Sequence, residues 1–404
     1  MSIEHYFGGC AAWVGSKPVH LAVTIELVSA VNWRAPHVMH GQFDRVWLYE
    51  RELFSYGSGW PLLLDECLRL LGPRGYLITR TRDSEHGTLF ELKSIVARRP
   101  NISAELVFQE KLSGGDTVTV IDVQRGNLSA YSEDGWTIGI LSNGAKSVNV
   151  HSLAEKLTKL AGERPLQIVI AGPEKLVMPP HVTGSKEEWN DRSGDNLPRI
   201  GEKKNWIVRQ ARHSNIAIFH DRYQIDDNFF SGFEKFGLDF DFVSISQRYE
   251  SGAYYPSYIG FQEGKMRWQR PQFDLSYTML HDGHFINGGL IVLKRSVAEV
   301  LNFNALLLHN EAEDVELSLM LRSIGIFPRM NSYSSAIAIG VPDNYTGTFR
   351  DVTSTPTLLA ANRLNVIIHR VAFAGWHRLP YAAKKLIKKS RIYVTLKRYL
   401  RYNG

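Results

Sequence analysis

Cysteine, long apolar runs and C-terminal acids are all scarce in this sequence of 404 residues. The two cysteines, Cys10 and Cys67, are too few for a disulfide framework, and their spacing matches no metal-binding motif. No uninterrupted apolar stretch reaches the ~20 residues that a membrane-spanning helix needs. The first residues, MSIEHYFGG, lack the basic and apolar segments of a secretion signal. These absences together predict a cytoplasmic protein.

Acidic residues are missing from one end of the chain. Residues 361–404 contain eleven Lys or Arg and no Asp or Glu. The first 360 residues therefore hold 36 of the 47 basic residues and all 41 acidic ones, a balance of −5. Because the basic charge is confined to one tail, the main body of the chain is not predicted to bind nucleic acid.

The first part of the chain, residues 1–130, has the pattern of a small α/β domain. An amphipathic helix at 59–75, with Leu63 and Cys67 on its apolar face, lies between predicted strands at 43–50 and 76–81. A hairpin follows at 103–125, where two alternating runs flank a Gly-Gly turn. This order predicts an α/β layer with an antiparallel edge.

The second part, residues 131–350, alternates strands and helices. Strands are predicted at 136–144, 166–174 and 215–220, with helices at 152–160 and 202–213 between them. Such alternation predicts a parallel sheet. Ligands of open α/β sheets bind at the carboxyl ends of the strands. We therefore expect the polar residues that follow these strands to converge on one cleft.

Asp221 follows the buried run NIAIFH and is the first candidate for chemistry in this cleft. A carboxylate at a strand end can hold a divalent cation, which in turn can bind a diphosphate. An equally good explanation from this stretch alone is that Asp221 caps a turn or pairs with Arg222.

The stretch 309–326 contains a predicted helix that Asn310 or Glu311 can open, with Glu313 and Asp314 in its first turn. The positive end of the helix dipole should keep Asp314 ionised at neutral pH, and an ionised carboxylate at a cleft can act as a general base. Simple complementarity to the helix dipole is the commoner role of acids at that position.

Between these acids lies HDGHFINGGLIVLKR, residues 281–295. Gly288 and Gly289 allow the backbone to approach a ligand closely. His281 and His284 are candidate metal or phosphate ligands, although a lone histidine more often has neither role. The aromatic, glycine-rich segment 248–273 is predicted to be a long, partly mobile loop.

The four elements around residues 136–340 together resemble the glycosyltransferase A fold, most closely the family 2 type. They are the helix KKNWIVRQARH, the strand ending HDRY, the strand INGGLIVLKR and the helix NEAEDVELSLMLRSIGI. The resemblance implies an α/β nucleotide-diphospho-sugar transferase with a Rossmann-like sheet. It further implies that a nucleoside-diphosphate sugar, with UDP as the first choice of nucleotide, donates a sugar to a saccharide or lipid-linked acceptor.

The resemblance also implies site residues. Asp314 matches the base and Glu313 its neighbour, while Asp221 matches the ligand of a Mn²⁺ or Mg²⁺ ion. The implied substrate-binding residues are Ser142, Asn143, Gly144, Lys204, Asn205, Asn287, Gly288 and Gly289. The segment HDRY, residues 220–223, departs from the family's metal-binding motif. His220 and Arg222 stand where that motif usually has further acids. Arg222 is therefore a candidate to contact the diphosphate directly, and His284 a candidate to complete the metal shell.

The expected activity is an inverting, hexosyltransferase-type glycosyl transfer in surface polysaccharide or glycolipid biosynthesis. One alternative is an S-adenosylmethionine-dependent methyltransferase or a bifunctional protein, because residues 1–130 weakly resemble the second half of a class I methyltransferase. No room precedes them for the usual glycine-rich cofactor loop, so we expect a truncated, non-catalytic domain. The other alternative is a non-catalytic nucleotide-sugar-binding scaffold.

The basic tail, residues 361–404, has the pattern of an amphipathic helix. Its apolar and aromatic residues alternate with Lys and Arg, and include Trp376, Tyr381, Ile387, Ile392, Leu396 and Tyr399. Such a helix suits an anionic membrane surface, although nucleic-acid binding or solubilising charge are rival explanations. Next to a glycosyltransferase, we favour peripheral attachment to the inner face of the plasma membrane.

Overall fold

The structure is a computed structural model, and it describes residues 3–28, 33–174, 182–185, 197–253, 255, 258–260, 284–309 and 311–343. The basic tail, His281 and most of the predicted loop at 248–273 lie outside these residues. The described residues belong to one compact unit.

The first sheet is built from the N-terminal part of the described chain. Its strands run in the order β2-β1-β3-β4-β6-β5. They are β1 (Ala11–Val14), β2 (Val23–Ile25), β3 (Phe43–Leu48), β4 (Leu71–Thr81), β5 (Ile102–Lys111) and β6 (Thr117–Arg125). The first four are parallel, and the predicted hairpin β5–β6 forms the antiparallel edge, with β6 inserted next to β4.

Two helices accompany this sheet, α1 (Trp60–Leu70) and α2 (Leu89–Arg98). The polar face of the predicted amphipathic helix α1 is not exposed to solvent, because every residue of the helix is buried, including Asp65, Glu66 and Arg69. The apolar core around α1 contains side chains of both sheets, so the helix has no solvent-facing side.

The second sheet is larger and mixed. Its strands run in the order β11-β16-β12-β15-β10-β7-β8-β9. They are β7 (Trp136–Leu141), β8 (Leu166–Ala171), β9 (Thr183–Ser185), β10 (Asn215–His220), β11 (Tyr223–Ile225), β12 (Phe242–Tyr249), β15 (Leu290–Lys294) and β16 (Arg329–Ala338), while β13 (Tyr258–Gly260) and β14 (His284–Ile286) form a separate pair. The helices of this part are α3 (Ser147–Ala161), α4 (Ile200–Gln210), α5 (Phe229–Phe236), α6 (Arg295–Val300) and α7 (Glu313–Ser323).

The three strands predicted from sequence form the parallel centre of this sheet. β7, β8 and β10 are buried along their whole length, as expected of strands covered on both faces. In the register, His220 pairs with Leu141, and Leu141 pairs with Ala171. The three carboxyl ends are therefore level with one another, and the predicted α/β class is confirmed.

β15 runs antiparallel to β10, with Leu290 opposite Phe219. The amino end of β15 consequently lies at the same edge as the carboxyl ends of β7, β8 and β10. This direction brings Gly288 and Gly289 to that edge.

A cluster of buried charges, which we call the interface ion cluster, connects the two sheets. It contains Asp65, Glu66, Arg69 and Arg99 from the N-terminal part and Asp239, Asp241 and Arg329 from the second part.

Arg69 holds the centre of the cluster. Its guanidinium donates to Asp65 at 3.0 Å, to Asp239 at 2.6 Å and to Asp241 at 2.7 Å. Asp65 in turn accepts from Arg99 and, at 2.5 Å, from Arg329. These multiple bonds compensate for the high cost of removing the charges from water.

Glu66 shows the electrostatic balance in this cluster. Burial alone would raise its pKa, but Arg34 and Arg329 lower the pKa of Glu66 to about 2. A charged Glu66 is therefore maintained in a site that excludes water.

None of the helices within the described residues is both long enough and apolar enough to cross a membrane.

We predict that Arg69→Met strongly destabilises the protein, because three buried carboxylates lose their shared cation. Removing one partner of a buried ion pair costs about 3–5 kcal/mol, measurable as the free energy of urea unfolding. Arg74→Met is the matched control, because Arg74 forms a pair with Asp122 but its side chain is 66% exposed. Equal effects of the two substitutions would contradict the assigned role of Arg69.

Candidate functional site

Polar residues meet where the central strands end. The Asp221 amide donates to the carbonyl of Leu141 at 2.9 Å, and the Ser142 amide donates to Ala171 at 3.1 Å. These bonds continue the strand register past the sheet edge. They fix Ser142 and Asp221 as neighbours although the two residues are far apart in sequence.

A cleft of about 350 Å³ opens at this edge. Its wall includes four residues predicted from sequence, namely Ser142, Asn143, Asp221 and Arg222. It also includes Leu141, Lys146, Pro198, Arg199, Ile200, Lys203, His220, His309, Gly340, Val341 and Pro342. Gly144 adjoins the wall, with its amide donating to Ser142 Oγ at 3.0 Å.

The cleft is strongly basic. Among the residues that the structure describes, the cleft is lined by one carboxylate, Asp221, and by four cationic side chains, those of Lys146, Arg199, Lys203 and Arg222. A surface with this balance attracts an anionic ligand such as a diphosphate. Of the four cations, sequence reasoning found only Arg222.

Lys204, which the resemblance placed beside the nucleotide, does not line the cleft, whereas its neighbour Lys203 does. Lys204 is fully buried, and its Nζ lies 3.0 Å from Glu313 Oε1 and 2.9 Å from the Gly288 carbonyl. Lys203 instead lines the cleft, where its Nζ donates to the Ser142 carbonyl at 2.8 Å. Neighbouring residues of a helix point about 100° apart, so only one of the two lysines reaches the cleft.

Asn205 lies outside the cleft lining. Its side-chain amide donates to the Phe303 carbonyl at 2.7 Å and accepts from the Phe303 amide at 2.8 Å. This reciprocal pair fixes the segment after α6 against α4, which is a structural task.

Asp314 is held in place by two backbone amides. Its Oδ2 accepts from Gly288 at 2.7 Å, and its Oδ1 accepts from Val315 at 2.9 Å. Burial, reinforced by the charge of Glu313, raises the pKa of Asp314 to about 6. The carboxylate is therefore mostly ionised at pH 7 and close to the pKa range in which a general base works well.

The backbone just before Asp314 is strained. Ala312 has φ of 62°, in the left-handed region that residues with a side chain rarely adopt. Helix α7 begins directly after it, at Glu313, two or three residues later than the predicted start at Asn310 or Glu311. Strain of this kind often occurs at functional sites.

Gly288 and Gly289 connect the two halves of the site. A side-chain carbon at Gly288 would lie 2.7 Å from Asp314 Cβ, and one at Gly289 would lie 2.7 Å from an Arg222 nitrogen. Asn287 shapes this turn by accepting the Gly289 amide at 2.9 Å. Arg222, on the cleft wall, and Asp314 thus contact adjacent residues of one backbone segment, although Asp314 is not among the residues that line the cleft.

Two histidines lie at the inner end of the site. The rings of His220 and His309 are 6.2 Å apart, and both residues line the cleft. Burial, together with nearby Arg222 and Lys204, lowers the pKa of His220, and burial also lowers the pKa of His309. Both rings are therefore neutral at pH 7 and add no charge to the cleft.

Glu174, which sequence reasoning missed, supports the loop after β7. Its carboxylate accepts from the hydroxyl groups of Ser142 and Ser147. Glu174 follows the Gly-Pro pair after β8. Its place just beyond the carboxyl end of a parallel strand is the sequence signal that could have identified it as a residue of the site.

A divalent cation at Asp221 remains a prediction. Burial raises the pKa of Asp221, and the positive charge of Lys146 opposes that shift. The His284 side chain, the other predicted ligand, lies outside the described residues. Within the part of the chain that is described, no group of three His, Cys, Asp or Glu side chains forms a metal site.

No protein-family model and no curated protein matches this chain. Among solved structures, it is similar to a Drosophila β-1,4-galactosyltransferase 7 mutant in complex with manganese, UDP-Gal and xylobiose. That match has a TM-score of 0.33 and 7% identity, and it covers 55% of this chain and 77% of the other.

Two further structures are similar at the same level. The mannosyltransferase PcManGT from Pyrobaculum calidifontis, in complex with GDP-Man and Mn²⁺, matches with a TM-score of 0.35 and 10% identity over 68% of this chain and 86% of the other. TarS residues 1–349 from S. aureus match with a TM-score of 0.30 and 12% identity over 50% and 60%. Scores and identities this low establish neither a fold family nor an activity for this chain.

We predict that Glu313→Gln lowers the pKa of Asp314, because a nearby negative charge disfavours ionisation of the second carboxyl group. Carboxyl carbon chemical shifts followed through a pH titration would report this value directly. The control is Glu299→Gln, which removes a surface carboxylate paired with Arg295 and should leave the Asp314 titration unchanged. A pKa of Asp314 that stays near 6 in Glu313→Gln would contradict the coupling.

Proposed function

We propose that this protein transfers a sugar from a nucleoside-diphosphate donor to a hydroxyl group of an acceptor. One observation carries the proposal: a basic cleft at the carboxyl ends of parallel strands adjoins, through Gly288 and Gly289, a carboxylate suited to general-base catalysis. The cleft offers charge for a diphosphate, and Asp314 offers a proton acceptor beside it.

In the proposed reaction, Asp314 takes the proton of the acceptor hydroxyl. The acceptor oxygen then attacks the anomeric carbon, and the bond from that carbon to the diphosphate oxygen breaks. The nucleoside diphosphate leaves with both bonding electrons, and the basic cleft stabilises its charge. A single displacement of this kind inverts the configuration at the anomeric carbon.

Asp314 is suited to this task by its surroundings. The two backbone amides fix the direction of the carboxylate, while a carboxylate oxygen can accept more than one hydrogen bond. The buried pair of Lys204 and Glu313 supports the same position, because Lys204 also holds the Gly288 carbonyl.

The N-terminal sheet has a structural role in this proposal. Its helix α1 is wholly buried and contributes Asp65, Glu66 and Arg69 to the interface ion cluster. The resemblance to part of a methyltransferase implied a truncated, non-catalytic domain. Such a domain suits a helix that is buried in the interface ion cluster. Titration calorimetry with S-adenosylmethionine tests this role. Heat of binding would favour a methyltransferase over a non-catalytic domain.

We further propose a UDP-sugar donor, a saccharide or lipid-linked acceptor and a role in surface polysaccharide or glycolipid assembly. The basic tail at 361–404 would bring the enzyme to the inner face of the plasma membrane, where lipid-linked acceptors are found. Each basic residue near an anionic surface contributes ~1 kcal/mol, so several together give reversible attachment.

We predict that Asp314→Asn lowers the rate of sugar transfer by roughly 10²–10⁴-fold, the usual contribution of a general base. The binding of UDP should change little, because the cleft wall is untouched. Product formation would be measured with a panel of UDP-, GDP- and dTDP-sugars, with Asp227→Asn as a surface control. Near-normal transfer by Asp314→Asn would rule out its role as the base, and transfer from no donor in the panel would argue for a binding scaffold.

We predict that deleting residues 361–404 releases the protein from vesicles that contain anionic lipid. Co-sedimentation of the full chain and the deletion variant with anionic and with neutral vesicles would measure this. Unchanged sedimentation of the deletion variant with anionic vesicles would contradict membrane attachment through the tail.

A further inference from the structure

We propose that Lys146, Lys203 and Arg222 hold the diphosphate of the nucleotide directly, so that nucleotide binding needs no divalent cation. This inference rests on the proposed function and names the groups that bind its donor. Lys146 and Lys203 have no role in the site predicted from sequence.

The two lysines are fixed at the cleft wall by different elements. Lys146 precedes α3, and its Nζ donates to the Ile339 carbonyl at 2.9 Å. Lys203 lies in α4, and its Nζ donates to the Ser142 carbonyl at 2.8 Å. These anchoring bonds restrict both side chains, which lowers the entropy lost when they bind a ligand. An ammonium group has three donors, so an anchored lysine can also contact a phosphate.

Arg222 approaches the cleft from a third side. It follows the end of β10, and its guanidinium lies 5.7 Å from the Tyr223 ring and 5.8 Å from the Tyr255 ring. Planar guanidinium groups bind phosphate oxygens in a fork geometry, and aromatic rings restrict their orientation. Cations from three separate segments therefore surround the place where a diphosphate would lie.

The charges at this edge favour an anion over a metal ion. Divalent cations such as Mg²⁺ and Mn²⁺ prefer several oxygen ligands, whereas Asp221 is the one carboxylate among the described residues that line the cleft. Lys146 and Arg222 line the same cleft as Asp221, so their positive charges would also repel a cation bound there. The same two side chains attract a diphosphate.

A buried imidazole is a second, independent indication that a ligand binds in this cleft. His220 is 9% exposed and lines the cleft, and its Nε2 has no hydrogen-bond partner among the described residues. A buried polar atom without a partner is costly. A phosphate or sugar hydroxyl bound in the cleft would supply the missing hydrogen bond.

The test measures binding of UDP, GDP and dTDP by titration calorimetry, once in excess EDTA and once with MnCl₂. We expect binding in EDTA, weakened about tenfold or more by Lys146→Ala and by Lys203→Ala, because each substitution removes a charged hydrogen-bond donor. Lys156→Ala is the matched control, since Lys156 lies on α3 but forms a surface pair with Asp227. Lys146→Arg keeps the charge and should retain most of the affinity, which separates loss of charge from local unfolding.

Asp221→Asn separates the two modes of binding. If side-chain cations hold the diphosphate, removing this carboxylate leaves UDP binding in EDTA as tight as before or tighter. If a metal bound to Asp221 holds it, the substitution abolishes the binding that MnCl₂ supports.

Each outcome has a distinct meaning. Binding that appears only with MnCl₂, or that survives both lysine-to-alanine substitutions undiminished, overturns this inference and leaves the proposed function standing. Failure of UDP, GDP and dTDP to bind under either condition overturns the proposed function itself.

Discussion

The interface ion cluster is the constraint on which the rest of the structure depends. Asp65 and Arg69 lie on a helix buried between two sheets, and their partners Asp239, Asp241 and Arg329 belong to the second sheet's part of the chain. Buried charges are tolerated only when nearly every one is paired, so the sheets are held in one relative position. The positions of β12 and β16 follow from that constraint, because Asp241 directly precedes β12 and Arg329 begins β16.

The candidate site uses a different principle. It is assembled from strand ends, where the backbone leaves the hydrogen-bonded ladder and side chains become available to a ligand. Parallel β7, β8 and β10 contribute one half, and antiparallel β15 carries Gly288 and Gly289 to the same edge. The rigid sheet fixes the relative positions of Asp221, Arg222 and Asp314 without requiring these residues to contact one another.

The sequence was most informative where local patterns decide structure. Apolar runs ending in polar residues predicted β7, β8 and β10 and the residues Ser142 and Asp221 after them, because burial and strand termination are local properties. The assignment of Lys204 to the cleft failed because the rotation of α4 about its axis depends on packing against Glu313 and Gly288. The cluster around Arg69 could not be predicted from local patterns either, since Asp239 and Asp241 are 170 and 172 residues away from Arg69 along the chain.

The direction of β15 has a consequence for how this site tolerates change. Gly288 and Gly289 form a turn directly before β15, so a shift of one position would place other residues at the contacts with Asp314 and Arg222. A single inserted or deleted residue between Asn287 and Leu290 would swap the partners of the two glycines and separate the nucleotide-facing half from the proton-accepting half. The site therefore depends more on the number of residues in this short turn than on which residues they are.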